Sequence, residues 1–139
     1  MRILIDTNIV LDVLLNRKPF SLYSSAIFEN AEQGNIEAFL TSNSVTDIVY
    51  ILRKTYDRET IRKNLLIMFG FIKIANVSSS DILNAFEINT GDFEDAVIMQ
   101  CAGRLKAEYI VTRNPGDFKA SPVSHLTPEK LLEIIGNNA

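Results

Sequence analysis

The residues from which chemistry can be argued are five aspartates, Asp6, Asp47, Asp92, Asp95 and Asp117. With one histidine and one cysteine in the chain, no zinc set can be assembled. A cluster of carboxylates without His or Cys is what hard cations bind. Magnesium and manganese prefer oxygen ligands, and magnesium keeps several waters for substrate and chemistry. Uncompensated carboxylates repel one another and raise each other's pKa values, a cost that a divalent cation removes. Such an ion can hold a phosphate oxygen, stabilise charge in a transition state and activate a water. The natural reaction is phosphodiester hydrolysis, with Mg2+ or Mn2+ as cofactor.

Those acids form a site only if the elements carrying them bring them together. Arg2-Ile3-Leu4-Ile5-Asp6-Thr7-Asn8 reads as a short buried strand that stops at a carboxylate and runs into a helix. The spacing predicts helices from Thr7 to Leu15, then from a Ser21 cap to Gly34, and again around Val45, Ile48, Val49 and Leu52. A fourth carries Ile61, Leu65, Met68 and Phe69 up to Gly70, and a short fifth is capped by Ser80. The sixth opens at Asp92, and the last runs between a Thr127 cap, with Pro128 at its first position, and Gly136 just past its end. Strands are expected at Ile36 to Thr41, Phe71 to Ala75 and Tyr109 to Thr112, with an edge strand at Pro122-Val123-Ser124. Strands alternating with helices imply one α/β domain over residues 1–139, with a mainly parallel sheet of four to five strands and about seven helices. Helix N-termini then lie at the carboxyl edge of the sheet, where α/β folds bind ligands. Asp6 ends the first strand, Asp47 lies in the first turn of the third helix, Asp92 and Asp95 open the sixth, and Asn114 and Asp117 follow the fourth strand. All fall on that edge. Their lateral convergence depends on strand order, which periodicity does not give.

Each acid also fits a purely structural role. Asp6 can cap the first helix; Ser44-Val45-Thr46-Asp47 matches a capping box with Asp in place of Glu. Asp92-Phe93-Glu94-Asp95 can be a cap with first-turn acids, and Asp117 a turn residue after Pro115-Gly116. Glu94 points away from Asp95 on a helix and is set aside. Asp12, one turn after Asn8, either supports the site or lies on a solvated face. Lys18, Arg53, Lys54 and Arg113 are candidates for phosphate contact, against the alternative of solvated surface cations.

The net charge of -3 over 139 residues argues against a broad basic surface, so a nucleic-acid partner needs a local basic patch or a metal. A lone Cys101 inside an apolar run excludes an internal disulfide and reads as a buried core residue in a reducing cytosol. The N-terminal apolar run is too short for a signal peptide and no stretch is long enough to span a membrane, so a cytoplasmic protein is expected.

Leu4-Ile5-Asp6-Thr7-Asn8, Asp47, Asp92-Phe93-Glu94-Asp95-Ala96 and Tyr109-Ile110-Val111-Thr112-Arg113-Asn114 with Asp117-Phe118, in that order over nearly the whole chain, resemble the PIN-domain family, small metal-dependent ribonucleases that include the VapC toxins. Asn16-Arg17-Lys18-Pro19-Phe20 and the Thr112-Arg113-Asn114 form resemble one bacterial subgroup. The resemblance implies a sheet in the order 3-2-1-4-5, which makes the first and fourth strands neighbours. It implies Mg2+ or Mn2+ held by Asp6 and Asp95, with Asp47 and Asp117 or Asn114 nearby and Asp92 as a further acid at the metal. Thr7 or Asn8 would orient Asp6, and Thr112 would assist at the metal or its water. Arg17, Lys18 and Arg113 are the expected RNA contacts. Two departures stand out. Asp47 replaces a frequent Glu and is one methylene shorter; Asn114 replaces a frequent Asp and loses a charge. The expectation is a metal-dependent endoribonuclease, the toxin of a toxin–antitoxin pair, with RNA as substrate, an antitoxin as partner and a homodimer as a common family assembly. The alternative is a PIN-like module with a weak metal site that binds protein or RNA. A receiver domain is disfavoured because Phe71 to Val77 has no acid, and a dehalogenase-type phosphatase because position 8 is Asn.

Overall fold

A computed structural model describes residues 1–138. Its five strands are β1 (Arg2–Ile5), β2 (Glu37–Thr41), β3 (Ile72–Ala75), β4 (Tyr109–Val111) and β5 (Ser124–Leu126). They form one sheet in the order β3-β2-β1-β4-β5, with every neighbouring pair parallel. Seven α-helices flank it among the described residues: α1 (Thr7–Leu14), α2 (Phe20–Glu32), α3 (Ser42–Leu52), α4 (Arg58–Met68), α5 (Ser79–Ala85), α6 (Phe93–Leu105) and α7 (Pro128–Asn138). The order 3-2-1-4-5 is thus the one the resemblance implies, and β1 and β4 are neighbours.

Strand alternation divides the core into two faces. Ile3, Ile5 and Val111 pack with Val10, Ile27, Ile48 and Leu65 of the first four helices. Leu4 and Ile110 turn the other way, against Ile98, Met99, Cys101 and Ala102 of α6. Ile3, Leu4, Ile5 and Ile110 are fully buried, each contributing about 1.5–3 kcal/mol of transfer free energy. The same parity governs the strand ends. Asp6 and Thr112 continue the α6 side of the sheet, and Arg113 continues the α1 and α2 side.

Several boundaries differ from expectation. Helix α2 starts at Phe20 after Pro19, so Ser21 lies inside it, and the Ser21 hydroxyl donates to Asn16 Oδ1 (3.0 Å) instead of capping. The cap of α3 is Thr41, whose Oγ1 accepts from the Ser44 N–H (3.2 Å). Asp47 therefore lies in the second turn and closes no capping box with Ser44. Ser78, not Ser80, caps α5 in a reciprocal box with Asp81. Strand β5 begins after Pro122, where Thr112 N–H can donate to Leu126 C=O (3.0 Å); proline has no N–H for such a ladder. Helix α7 continues through Gly136, which has no left-handed φ to end it. The Thr127 cap holds, with its hydroxyl oxygen accepting from the Lys130 N–H (3.3 Å). Cys101 is buried as expected. No helix among the described residues is long and apolar enough to cross a membrane.

Candidate active site

Asp6 closes β1 and begins α1, and it is 9% exposed. Register determines its surroundings. Ile5 is paired with Val111, so the next residues, Asp6 and Thr112, meet side by side. The Thr112 hydroxyl donates to Asp6 Oδ2 (2.8 Å), and the Thr7 N–H donates to Oδ1 (2.8 Å). The Asn8 side-chain amide is 3.4 Å from Oδ2, and its own Oδ1 is buried without a partner. Asp6 is therefore both a cap and an acid of the site. Burial raises its pKa, the Thr112 and Thr7 hydrogen bonds pull it back, and the charges of Asp117 and Asp92 push it up again.

Asp92 caps α6, with Oδ1 accepting from the N–H groups of Glu94 (2.9 Å) and Asp95 (3.3 Å). This cap fixes the first turn of α6, whose Glu94 and Asp95 feel the charge of Asp6. Asp95 is pushed up to about 7, first by burial and then by the charges of Asp92, Asp6 and Asp117. Glu94 is pushed up to about 8, first by burial, then by a hydrogen bond to Asp47 and by the charges of Asp47, Asp92 and Asp6. Six carboxylates, Asp6, Asp47, Asp92, Glu94, Asp95 and Asp117, thus feel one another across three elements and a loop. The charges acting most strongly on Asp6, Glu94 and Asp95 are all negative. Such an all-oxygen, uncompensated set fits a hard divalent cation. Among the described residues no three acids are drawn together tightly enough to ligate one ion by themselves. That spacing suits magnesium, which binds through one or two carboxylates and keeps waters.

The reading that set Glu94 aside is corrected: it diverges from Asp95 along α6 but faces Asp47 on α3, a contact across the chain. A second missed feature is a row of hydroxyls. Thr7 Oγ1 donates to Ser44 Oγ (3.0 Å), and Ser44 Oγ lies 2.9 Å from Thr41 Oγ1, tying the start of α3 to the start of α1. The polar run Thr41-Ser42-Asn43-Ser44 after a strand is the signal that could have found it. Asn114 contributes its backbone: its N–H donates to Thr112 Oγ1 (3.1 Å), while its side chain makes no hydrogen bond among the described residues.

The cations sort into two groups. Asp12 is fully buried, so it is not on a solvated face; Arg113 Nε stands 2.8 Å from its Oδ2, and Arg17 Nη1 3.7 Å from its Oδ1. The close Arg113 contact is an ion pair rather than an aligned hydrogen bond. Burial raises the Asp12 pKa, and the two guanidiniums oppose that rise. Lys18 is exposed, with no ion pair among the described residues. Arg53 and Lys54 follow the C-terminus of α3, the end turned away from the carboxyl edge, so the structure does not bring them to the acids.

The sequence profile of the PIN domain matches residues 2–115. The chain belongs to the PIN-domain family. Solved structures agree with this PIN fold at low identity. A chain of VapBC2 from Rickettsia felis, bound to a promoter DNA fragment, superposes with a TM-score of 0.69 at 19% identity, over 91% of this chain and 98% of the other. A chain of FitAcB from Neisseria gonorrhoeae gives 0.67 at 16%, over 91% and 98%. A chain of a toxin–antitoxin complex from Klebsiella pneumoniae gives 0.65 at 21%, over 90% and 96%. No curated protein matches this PIN domain in sequence.

Proposed function

We propose that this PIN domain is a Mg2+- or Mn2+-dependent endoribonuclease and the cytoplasmic toxin half of a toxin–antitoxin pair. The observation that carries the reading is a cluster of six carboxylates, Asp6 among them, in which the charges acting most strongly on Asp6, Glu94 and Asp95 are all negative. The similar folds of toxin–antitoxin complexes support the toxin assignment and an antitoxin partner.

Asp6 and Asp95 would hold the ion, with Asp92 and Asp117 beside them; when bound it supplies positive charge to a phosphate oxygen and lowers the pKa of a water. Thr112 and Thr7 hold both Asp6 oxygens in a single orientation. Burial, the hydrogen bond to Asp47 and the charges of Asp47, Asp92 and Asp6 favour the protonated form of Glu94. Arg17, Lys18 and Arg113 would counter the charge of an RNA backbone beside the acidic edge.

The test is cleavage of a mixed RNA pool in Mn2+, in Mg2+ and in EDTA, by the wild type and by Asp6→Asn with Asp95→Asn. Metal-dependent cutting that disappears in the double variant is the expected result. Growth arrest on expression of the wild type alone is expected from a toxin. Metal binding without cutting of any RNA would replace the enzyme by a binding module, the alternative to which the uncharged Asn114 gives support.

A further inference from the structure

Arg113 and Lys18 enter the reading above only as cations, and the ring beside them has no role in it. Phe20 opens α2 and is 40% exposed. Arg113 Cζ lies 4.2 Å from its ring centroid, a cation–π contact that occupies one face. The guanidinium is itself anchored, because its Nε is paired with the buried Asp12. Arg113 also follows Thr112, whose hydroxyl bonds Asp6. The ring is therefore held by a chain of contacts that ends one residue from the acids.

Isolated exposed aromatics are common and mean little alone. Here the charge around the ring adds a direction. Arg17, Lys18 and Arg113 against Asp12 leave a local excess of positive charge in a chain of net charge -3. Among the described residues neither terminal nitrogen of Arg113 donates to another residue. An aromatic face next to Lys18 and the free terminal nitrogens of Arg113 is an arrangement that suits a single nucleic-acid strand: the ring stacks a base and the cations take the phosphate. Bases inside a duplex have no free face to offer, so the ligand class is a single strand, which on the ribonuclease reading is RNA.

We infer that Phe20, braced by Arg113, is a stacking platform for one unpaired nucleobase of the substrate RNA, with the adjacent phosphate on Lys18 and Arg113. The inference rests on the ribonuclease reading and adds a base contact that selects single-stranded substrate.

The chain has no tryptophan, so Phe20→Trp introduces a single indole reporter at the platform. Wild type, Phe20→Trp and Phe20→Leu are titrated in EDTA with short single-stranded RNA oligomers, intact or carrying one abasic residue at successive positions. Thermal unfolding of each variant checks the fold. The expected result is binding weakened about tenfold by Phe20→Leu and retained by Phe20→Trp, with the indole emission quenched. One abasic position should weaken the wild type similarly and abolish its difference from Phe20→Leu. Equal binding by wild type and Phe20→Leu overturns the platform. So does a Phe20→Leu loss that persists on every abasic oligomer, since the ring would then serve only to hold Arg113. If the wild type cuts RNA in Mn2+ and one of these results is found, the platform alone fails; if the wild type neither binds nor cuts RNA, the ribonuclease reading fails with it.

Discussion

Asp6 sits where four separate demands meet: the end of a strand, the cap of a helix, the hydroxyl of Thr112 and the repulsion of neighbouring acids. The Thr112 hydrogen bond favours the charged form of Asp6, the form that a cation needs. Thr112→Val keeps the shape and removes the donor. Its expected effect is an Mn2+ affinity lower by about tenfold, read by calorimetry, since groups supporting a metal ligand are worth roughly 10–100-fold. Asp12 makes a different kind of residue-scale statement. It is a fully buried charge balanced by Arg113 and Arg17. Asp12→Ala leaves those guanidiniums without their buried partner and should cost about 3 kcal/mol in urea unfolding. An unchanged midpoint would mean that both arginines move to water without loss.

At the scale of elements, the first turn of α6 has two tasks that one residue joins. Asp92 satisfies the N–H groups of Glu94 and Asp95, and it adds charge to the acid cluster. Two substitutions separate these tasks. Asp92→Asn keeps a good cap and removes the charge, so stability should hold while metal affinity drops. Asp92→Ala removes both, and should also lower stability by about 1 kcal/mol. Equal stability of the two variants would show that the cap contributes nothing. The junction between α1 and α3 works in the same way without charge: the Thr7, Ser44 and Thr41 hydroxyls connect the starts of α1, capped by Asp6, and α3, which carries Asp47 one turn further on.

For the whole molecule, the acid cluster makes stability depend on pH. Glu94 and Asp95 titrate in the folded protein at about 8 and about 7, above their ordinary values of 4.5 and 3.8. The folded state thus holds protons that the unfolded chain releases. Their favourable contribution is complete below those ordinary values and is lost as pH rises through about 7 and about 8. In EDTA the thermal midpoint should fall between about pH 5 and about pH 8, the window set by these shifts. Millimolar Mn2+ should reverse the fall, because binding to the folded state alone stabilises it. A midpoint that stays flat across this range, or rises without metal, would contradict the clustering of the acids.

The α/β alternation and the row of acids at one edge were legible in the residues, because strand and helix periods and helix starts are local properties of the chain. Asp6, Asp92 and Asp95 were legible for that reason: each stands where an element ends or begins. The family resemblance added the neighbouring of β1 and β4, which no local period contains. The rest came from packing between distant segments. Glu94 joined the acids because the start of α6 and the second turn of α3 meet at the sheet edge, from opposite faces, and bring it to Asp47, although on its own helix it turns from Asp95. Asp47 moved to the second turn because Thr41, the last residue of β2, took the cap that Ser44 could have taken. Asp12 became a buried ion pair because strand parity sends Arg113 to the α1 side while sending Thr112 to Asp6. Contacts between distant segments depend on packing and register, and these are properties of the assembled sheet rather than of any window of residues.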